Sequence, residues 1–349
     1  MPTVRAQTCR GAVAVLGAVV ACAATLVAGM PAASANPASS RQHLHPRVLA
    51  AFRRDAQFAE SLTRGPRGAL FASVTTWGQQ VNRGRIYRIS ADGARSQFGP
   101  ALRTPGILTG VAFDAAGHLY VADATFGAAP APGVFRVTRS KMTRVLTLPA
   151  DTFPNGLVFS RGALYVSDSD AGRIWRWNPG TQPAPATLSS PWLRSPRLAA
   201  QGKVNGIGAN GLAVRRGVLY IAVSDAGENR AGKSLGRLAA VPFGPGGTHG
   251  KLSVVRTSPK LATVDGIDFS GAGPLWLVTN GIFAKDGTPV GGQRLLRMTH
   301  DGAVHVVASD TRWMNYPTAV LVRHNHGHRT IDFENGALFG GRATVLRLR

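Results

Sequence analysis

The sequence predicts an all-β protein, a six-bladed β-propeller closed by an N-terminal strand that completes the last blade. Three observations carry that prediction. A short apolar–Arg–apolar strand recurs six times, around Arg88, Arg136, Arg176, Arg237, Arg297 and Arg347, at spacings of 48, 40, 61, 60 and 50 residues. Each copy is too short for a helix and alternates as a half-buried strand does. Glycine and proline make up 64 of 349 residues, which favours many turns over long helices.

Residues 1–35 read as a secretory signal peptide. Arg5 and Arg10 give a basic start, residues 11–28 are uncharged and apolar, and small residues follow up to a cleavage point near Ala35. Lipid attachment at Cys22 is the rival reading, but the apolar run continues past that residue. Both cysteines, Cys9 and Cys22, fall in this leader, so the mature chain has no disulfides and no thiolate metal site. A flexible segment, 36–46, then leads into the propeller, 47–349.

Within each repeat the Arg strand is the third. Before it stands a strand with an aromatic second residue, as in Leu119-Tyr-Val-Ala, Leu164-Tyr-Val-Ser, Leu219-Tyr-Ile-Ala and Leu275-Trp-Leu-Val. The sixth copy carries Asp332 at the aromatic position. Ahead of these lie first strands such as Gly156-Leu-Val-Phe and Gly266-Ile-Asp-Phe, joined to the second strands by hairpins such as Arg161-Gly162 and Arg216-Gly217. The last repeat ends at the C-terminus without a fourth strand. The segment from Arg47 to Phe52 has the pattern to supply it, which would close the ring and remove the open sheet edge.

The formal charge of +23 comes from 40 Lys and Arg against 17 Asp and Glu, and only six of the 40 are Lys. The arginines are spread evenly and no nucleic-acid motif accompanies them, so no nucleic-acid partner is expected. Electrostatic association with an anionic cell envelope fits an exported basic protein better. Gly206-Ile-Gly208-Ala-Asn-Gly211 matches a dinucleotide fingerprint, but a strand follows it where that motif needs a helix. His324, His326 and His328 alternate along the chain, and read either as an adventitious metal chelate or as an exposed loop.

The residue opening each innermost strand should face the central channel. Around the ring these are Glu60, Thr109, Asn155, Asn210, Asp265 and Thr318. Four of the six carry a carboxylate or amide, all hard oxygen donors suited to Ca²⁺ or another divalent cation, which takes roughly six to eight oxygens. The alternative is that Asn-Gly and Asp-Gly serve only as tight turns. Turn preference accounts for any one of them, but not for Glu60 nor for the coincidence of four in ring position.

Glu60, Asn155, Asn210 and Asp265 resemble the calcium ligands of the gluconolactonase family, which includes senescence marker protein and luciferin-regenerating enzyme. The wider calcium-dependent phosphotriesterase superfamily is similar. Their separations of 95, 55 and 55 residues fall on blades one, three, four and five, as in that superfamily. The resemblance implies a secreted calcium-dependent hydrolase of lactones, esters or phosphoesters, acting as a monomer on a small-molecule substrate. Asp265 would be the catalytic base or nucleophile, with Asn155 holding metal and substrate and Thr109 and Thr318 lining the substrate site. The competing expectation is a non-catalytic propeller that binds a partner or envelope polymer, with calcium structural.

Overall fold

A computed structural model describes residue 44 and residues 46–54, 57–284, 287–325 and 328–348. The leader, its cleavage point and Cys22 lie outside the described residues, as does His326. Six antiparallel sheets follow one another around an axis, each with four principal strands. This is the six-bladed propeller that the repeat predicts. Among the described residues no helix is long and apolar enough to cross a membrane.

Blade three shows the common plan. Its innermost strand Pro154–Ser160 pairs with Ala163–Asp168, then comes Arg173–Trp177, and Leu193–Arg194 forms the outer edge. The first hairpin turns on Arg161 and Gly162, both with positive φ, and its counterpart in blade four turns on Arg216 and Gly217 in the same way. Two consecutive left-handed residues match the strand twist of a tight hairpin. Large side chains of each sheet pack against the neighbouring blade: Trp175 and Trp177 of blade three share a core with Tyr120, Val134 and Leu146 of blade two.

Closure occurs as expected. Strand Pro46–Arg54 pairs antiparallel with the last strand, Arg342–Leu348, placing Arg47 opposite Arg347 and Val48 opposite Leu346. Blade six therefore combines both ends of the described chain. The fold leaves no bare sheet edge at this seam.

The recurring arginine stands across the ladder from the recurring aromatic. Arg88 faces Phe71, Arg136 faces Tyr120, Arg176 faces Tyr165 and Arg297 faces Trp276. In blade six Arg347 faces Asp332, and an ion pair takes the place of the aromatic, Arg347 Nε to Asp332 Oδ1 at 2.7 Å. Arg64 of blade one joins the same carboxylate at 3.3 Å. The odd residue of the sixth repeat is thus part of the seam between first and last blades. Blade four departs from the pattern: Ala240 stands opposite Tyr220, while Arg237 is shifted toward the strand end, opposite Val223. Its side chain bonds instead to the Arg197 carbonyl and to Gln201.

Candidate metal and catalytic site at the blade entrances

Every innermost strand breaks register with its neighbour at the same place, and the break falls on the predicted ring residue. The ladder skips between Ala59 and Ser61, Leu108 and Val111, Pro154 and Leu157, Ala209 and Leu212, Val264 and Ile267, and Pro317 and Ala319. Each skip is a β-bulge, which releases a residue from the pleat and re-aims its side chain. Six bulges on a common level carry Glu60, Thr109, Asn155, Asn210, Asp265 and Thr318. All six side chains are buried, none exposed beyond 8%.

The glycines after four of these residues are not turn residues. Gly110, Gly156, Gly211 and Gly266 lie within strands, and none has a positive φ. A Cβ on any of them would strike the next blade's backbone, at the carbonyls of Asn155, Asn210, Asp265 and Thr318 respectively. Glycine here permits the close approach of one ring residue's backbone to the next. Tight-turn preference therefore does not account for the Asn-Gly and Asp-Gly pairs.

A second layer of side chains, at or just past the ends of the second strands, holds the ring. Thr75, Ser169, Ser224 and Asn280 each stand four residues after the blade's aromatic, Phe71, Tyr165, Tyr220 or Trp276. Asn155 Nδ2 donates to Ser169 Oγ at 3.2 Å, and Asn210 Nδ2 donates to Ser224 Oγ at 3.1 Å. Each amide nitrogen thus has a serine partner, and Asn210 donates to the Asp265 carboxylate as well. The same four residues clamp the following blade. Ser169 Oγ donates to the Ala209 carbonyl, Ser224 Oγ to that of Val264, and Asn280 Nδ2 to that of Pro317, while Thr75 Oγ1 accepts from Leu108 N.

Thr109 and Thr318 take their meaning from this layer. In blades two and six the residue four after the aromatic position is Ala124 or Gly336, neither of which has a side-chain donor. There the ring threonine makes the clamp itself: Thr109 Oγ1 donates to the Pro154 carbonyl at 2.8 Å, and Thr318 Oγ1 to that of Ala59 at 3.1 Å. The Thr109 proton is committed to backbone, and that of Thr318 is shared between the Ala59 carbonyl and Glu334 Oε2 at 3.4 Å.

The ring lies along a central channel of about 500 Å³ lined by all six innermost strands. Glu60, Asn155, Asn210, Asp265 and Thr318 all line it, whereas in blade two the lining begins at Gly110, after Thr109. On the other side of the ring, residues two before it form an aromatic arc. Phe58, Ile107 and Phe153, with Tyr316, Trp77 and Phe126, make one apolar cluster spanning blades six, one, two and three. Gly208 and Thr263 occupy the matching positions in blades four and five, where the arc has no aromatic.

Charge is the outstanding feature of the site. Burial pushes the Glu60 carboxyl well above its ordinary range, and Asp265 and Glu334 push it further. Burial raises Asp265 to about 7, against hydrogen bonds from Asn280 and Asn210 that favour the ionised form. Glu334, on the second strand of blade six, is raised by burial and by Asp265, against a hydrogen bond from Thr318. Among the described residues no lysine or arginine offsets any of the three. Buried carboxylates without a counter-charge are costly, and a cation relieves that cost directly. The donor set of two carboxylates and two amides therefore fits a hard divalent cation. Among the described residues no three His, Cys, Asp or Glu side chains stand close enough to hold an ion by themselves. The amides are indispensable to such a site.

Sequence reasoning did not single out Ser169, Ser224, Asn280 or Glu334. The first three could have been found from their fixed offset after the aromatic. Asp123 and Asp168, which stand at matching places on the second strands of blades two and three, differ from one another. Asp168 accepts from Phe153 N and Asp170 N and pairs with Arg173, whereas Asp123 accepts from Thr104 Oγ1.

No family model matches the sequence, and no curated protein matches it. Solved structures do. The chain is 17% identical to a protein described as an oxidoreductase of the glucose dehydrogenase kind from Thermus thermophilus, covering 88% of this chain and 100% of that one at a TM-score of 0.51. A glucose dehydrogenase is 14% identical over 87% of this chain and 99% of its own, at a TM-score of 0.50. A protein described as a 6-phosphogluconolactonase from Bacteroides fragilis is 10% identical over 78% of this chain and 86% of its own, at 0.41. At these identities the likeness to the first two is one of fold.

Proposed function

We propose that the protein is an exported calcium-dependent hydrolase of lactones, esters or phosphoesters, with the cation held by Glu60, Asn155, Asn210 and Asp265. The observation that carries this reading is the ring of bulged, buried oxygen donors whose carboxylates have no positive partner among the described residues. A bound divalent cation would polarise the scissile group and stabilise the oxyanion that forms on it. Asp265 then acts as base toward water or as nucleophile. Its carboxylate is held from behind by Asn280 Nδ2 at 2.8 Å, which orients it without taking a proton. Ser169 and Ser224 anchor the two amides, whose oxygens would turn toward a bound cation. The aromatic arc would exclude water on one side and favours substrates with an apolar or aryl group. Export rests on the sequence of residues 1–35, and a monomer acting near an anionic envelope belongs to the same proposal.

A second reading has its own support. The ring residues are at most 8% exposed, as suits a cation that only stabilises the channel of a binding propeller. The decisive experiment is a hydrolysis screen over aryl esters, apolar lactones, gluconolactone and phosphotriesters, with calcium and with chelator. Calcium-dependent turnover that favours apolar substrates supports the hydrolase. Calcium binding without turnover on any of them supports the structural cation.

A further inference from the structure

We infer that Glu334 supplies a third negative charge to the cation site and tunes it toward ions of high charge; this rests on the reading of the ring as a cation site. The residue facing each bulge from the second strand stands two after the blade's aromatic position. In blades one to five these are Ser73, Ala122, Ser167, Ala222 and Val278, all uncharged. In blade six it is Glu334, opposite Ala319 and next to the bulge at Thr318. Thr318 is engaged as the clamp to blade one, so blade six brings its carboxylate from across the bulge rather than from the ring position itself.

The placement is specific. Glu334 is fully buried, with Oε2 3.4 Å from Thr318 Oγ1 and Oε1 without any hydrogen-bond partner. Blade six lies between blade five, which carries Asp265, and blade one, which carries Glu60, so the three acids are contiguous around the axis. An unpartnered buried carboxylate oxygen is costly unless a positive charge arrives nearby. Glu60 and Asp265 alone would balance a divalent ion. With Glu334 the balance shifts by one charge, to a trivalent ion. Glu334 is a positioning and charge-supplying residue, not a direct ligand, consistent with the absence of any three-acid cluster among the described residues.

Coulomb attraction scales with the ion's charge, and this makes the inference testable. Calcium and terbium(III) are titrated calorimetrically into the mature wild-type protein, Glu334→Gln and Glu334→Asp at fixed ionic strength. Glu334→Gln should weaken calcium by at least ~10-fold and terbium by about the 3/2 power of that factor, roughly 30-fold or more, because charge products scale as three to two. Glu334→Asp keeps the charge and should keep the terbium-to-calcium ratio of the wild type, even where both affinities drop from altered packing. Equal losses for the two ions in Glu334→Gln, no loss at all, or a Glu334→Asp ratio altered in the manner of Gln would overturn the role of Glu334. If Glu334→Gln does not fold, the Asp variant's ratio decides. A wild-type protein that binds neither ion removes the cation reading itself, and this inference with it.

Discussion

Asn280 uses one amide nitrogen for two bonds, donating to Asp265 Oδ2 at 2.8 Å and to the Pro317 carbonyl at 2.6 Å. The candidate catalytic carboxylate of blade five and the entrance to blade six are therefore fixed by a single side chain. Replacing it by alanine should strand two buried acceptors, at about 1–3 kcal/mol each in stability. Asn280→Ala should unfold earlier in urea and bind calcium more weakly. A variant with unchanged midpoint and unchanged affinity would show that the contact has no organising role.

Asp265→Asn keeps the shape and an oxygen donor but removes the charge and the base. Turnover should drop at least ~100-fold, the lower end of a general-base contribution, while calcium binding stays measurable. The check is kcat beside a calorimetric titration. An active Asp265→Asn enzyme would leave the cation site standing and transfer the chemistry to another residue.

The pH dependence of stability should reverse with the cation. Without one, the folded pKa of Asp265, about 7, lies above its unfolded value near 3.9. The folded state then holds the extra proton, so this contribution is complete below about pH 4 and is lost as pH rises toward 7, by up to about 1.4 kcal/mol per unit. Glu60 and Glu334 shift in the same direction. Saturating calcium favours the ionised forms and should hold the melting temperature level or raise it over that interval. Parallel melting curves with chelator and with calcium from pH 4 to 7 would contradict the assignment.

Gly211 sits where an added Cβ meets the Asp265 carbonyl. Gly211→Ala should push blades four and five apart, destabilising the protein by about 1–3 kcal/mol through overpacking. Because the strain falls on the ring backbone, calcium affinity should fall with stability. Ala substituted at Gly162, where nothing lies within 4 Å but φ is +73°, should perturb stability without touching the cation.

Removing residues 36–53 deletes nearly all of Pro46–Arg54 and exposes the edge of Arg342–Leu348. The truncated chain should aggregate or melt far lower, since the exposed strand carries an apolar row that includes Val345, Leu346 and Leu348, all buried in the closed ring. Light scattering of the refolded truncation is the measurement. A monomer with the parent melting point would mean that closure is dispensable.

The blade count, the strand order, the closing strand and the ring positions of Glu60, Asn155, Asn210 and Asp265 were all legible in the sequence. Repetition exposes them: a residue type recurring at the same step of a period-two strand declares its position whatever lies beside it. What surrounds the ring was decided only in three dimensions. A bulge adds one residue to one strand, and period-two alternation cannot reveal it until the partner strand is aligned. That is why Glu334, on a second strand, could not be placed beside a first-strand ring, and why a tight-turn role for Gly156 and Gly211 stood as an alternative. The same limit hid the work of Thr109 and Thr318, whose hydroxyls replace donors missing at Ala124 and Gly336. Asp332 looked like a decayed aromatic until Arg347 and Arg64 were found on it, one from its own blade and one from the far end of the chain. Local pattern determines which strands form and which side chains open them; pairing across blades determines what those side chains can touch.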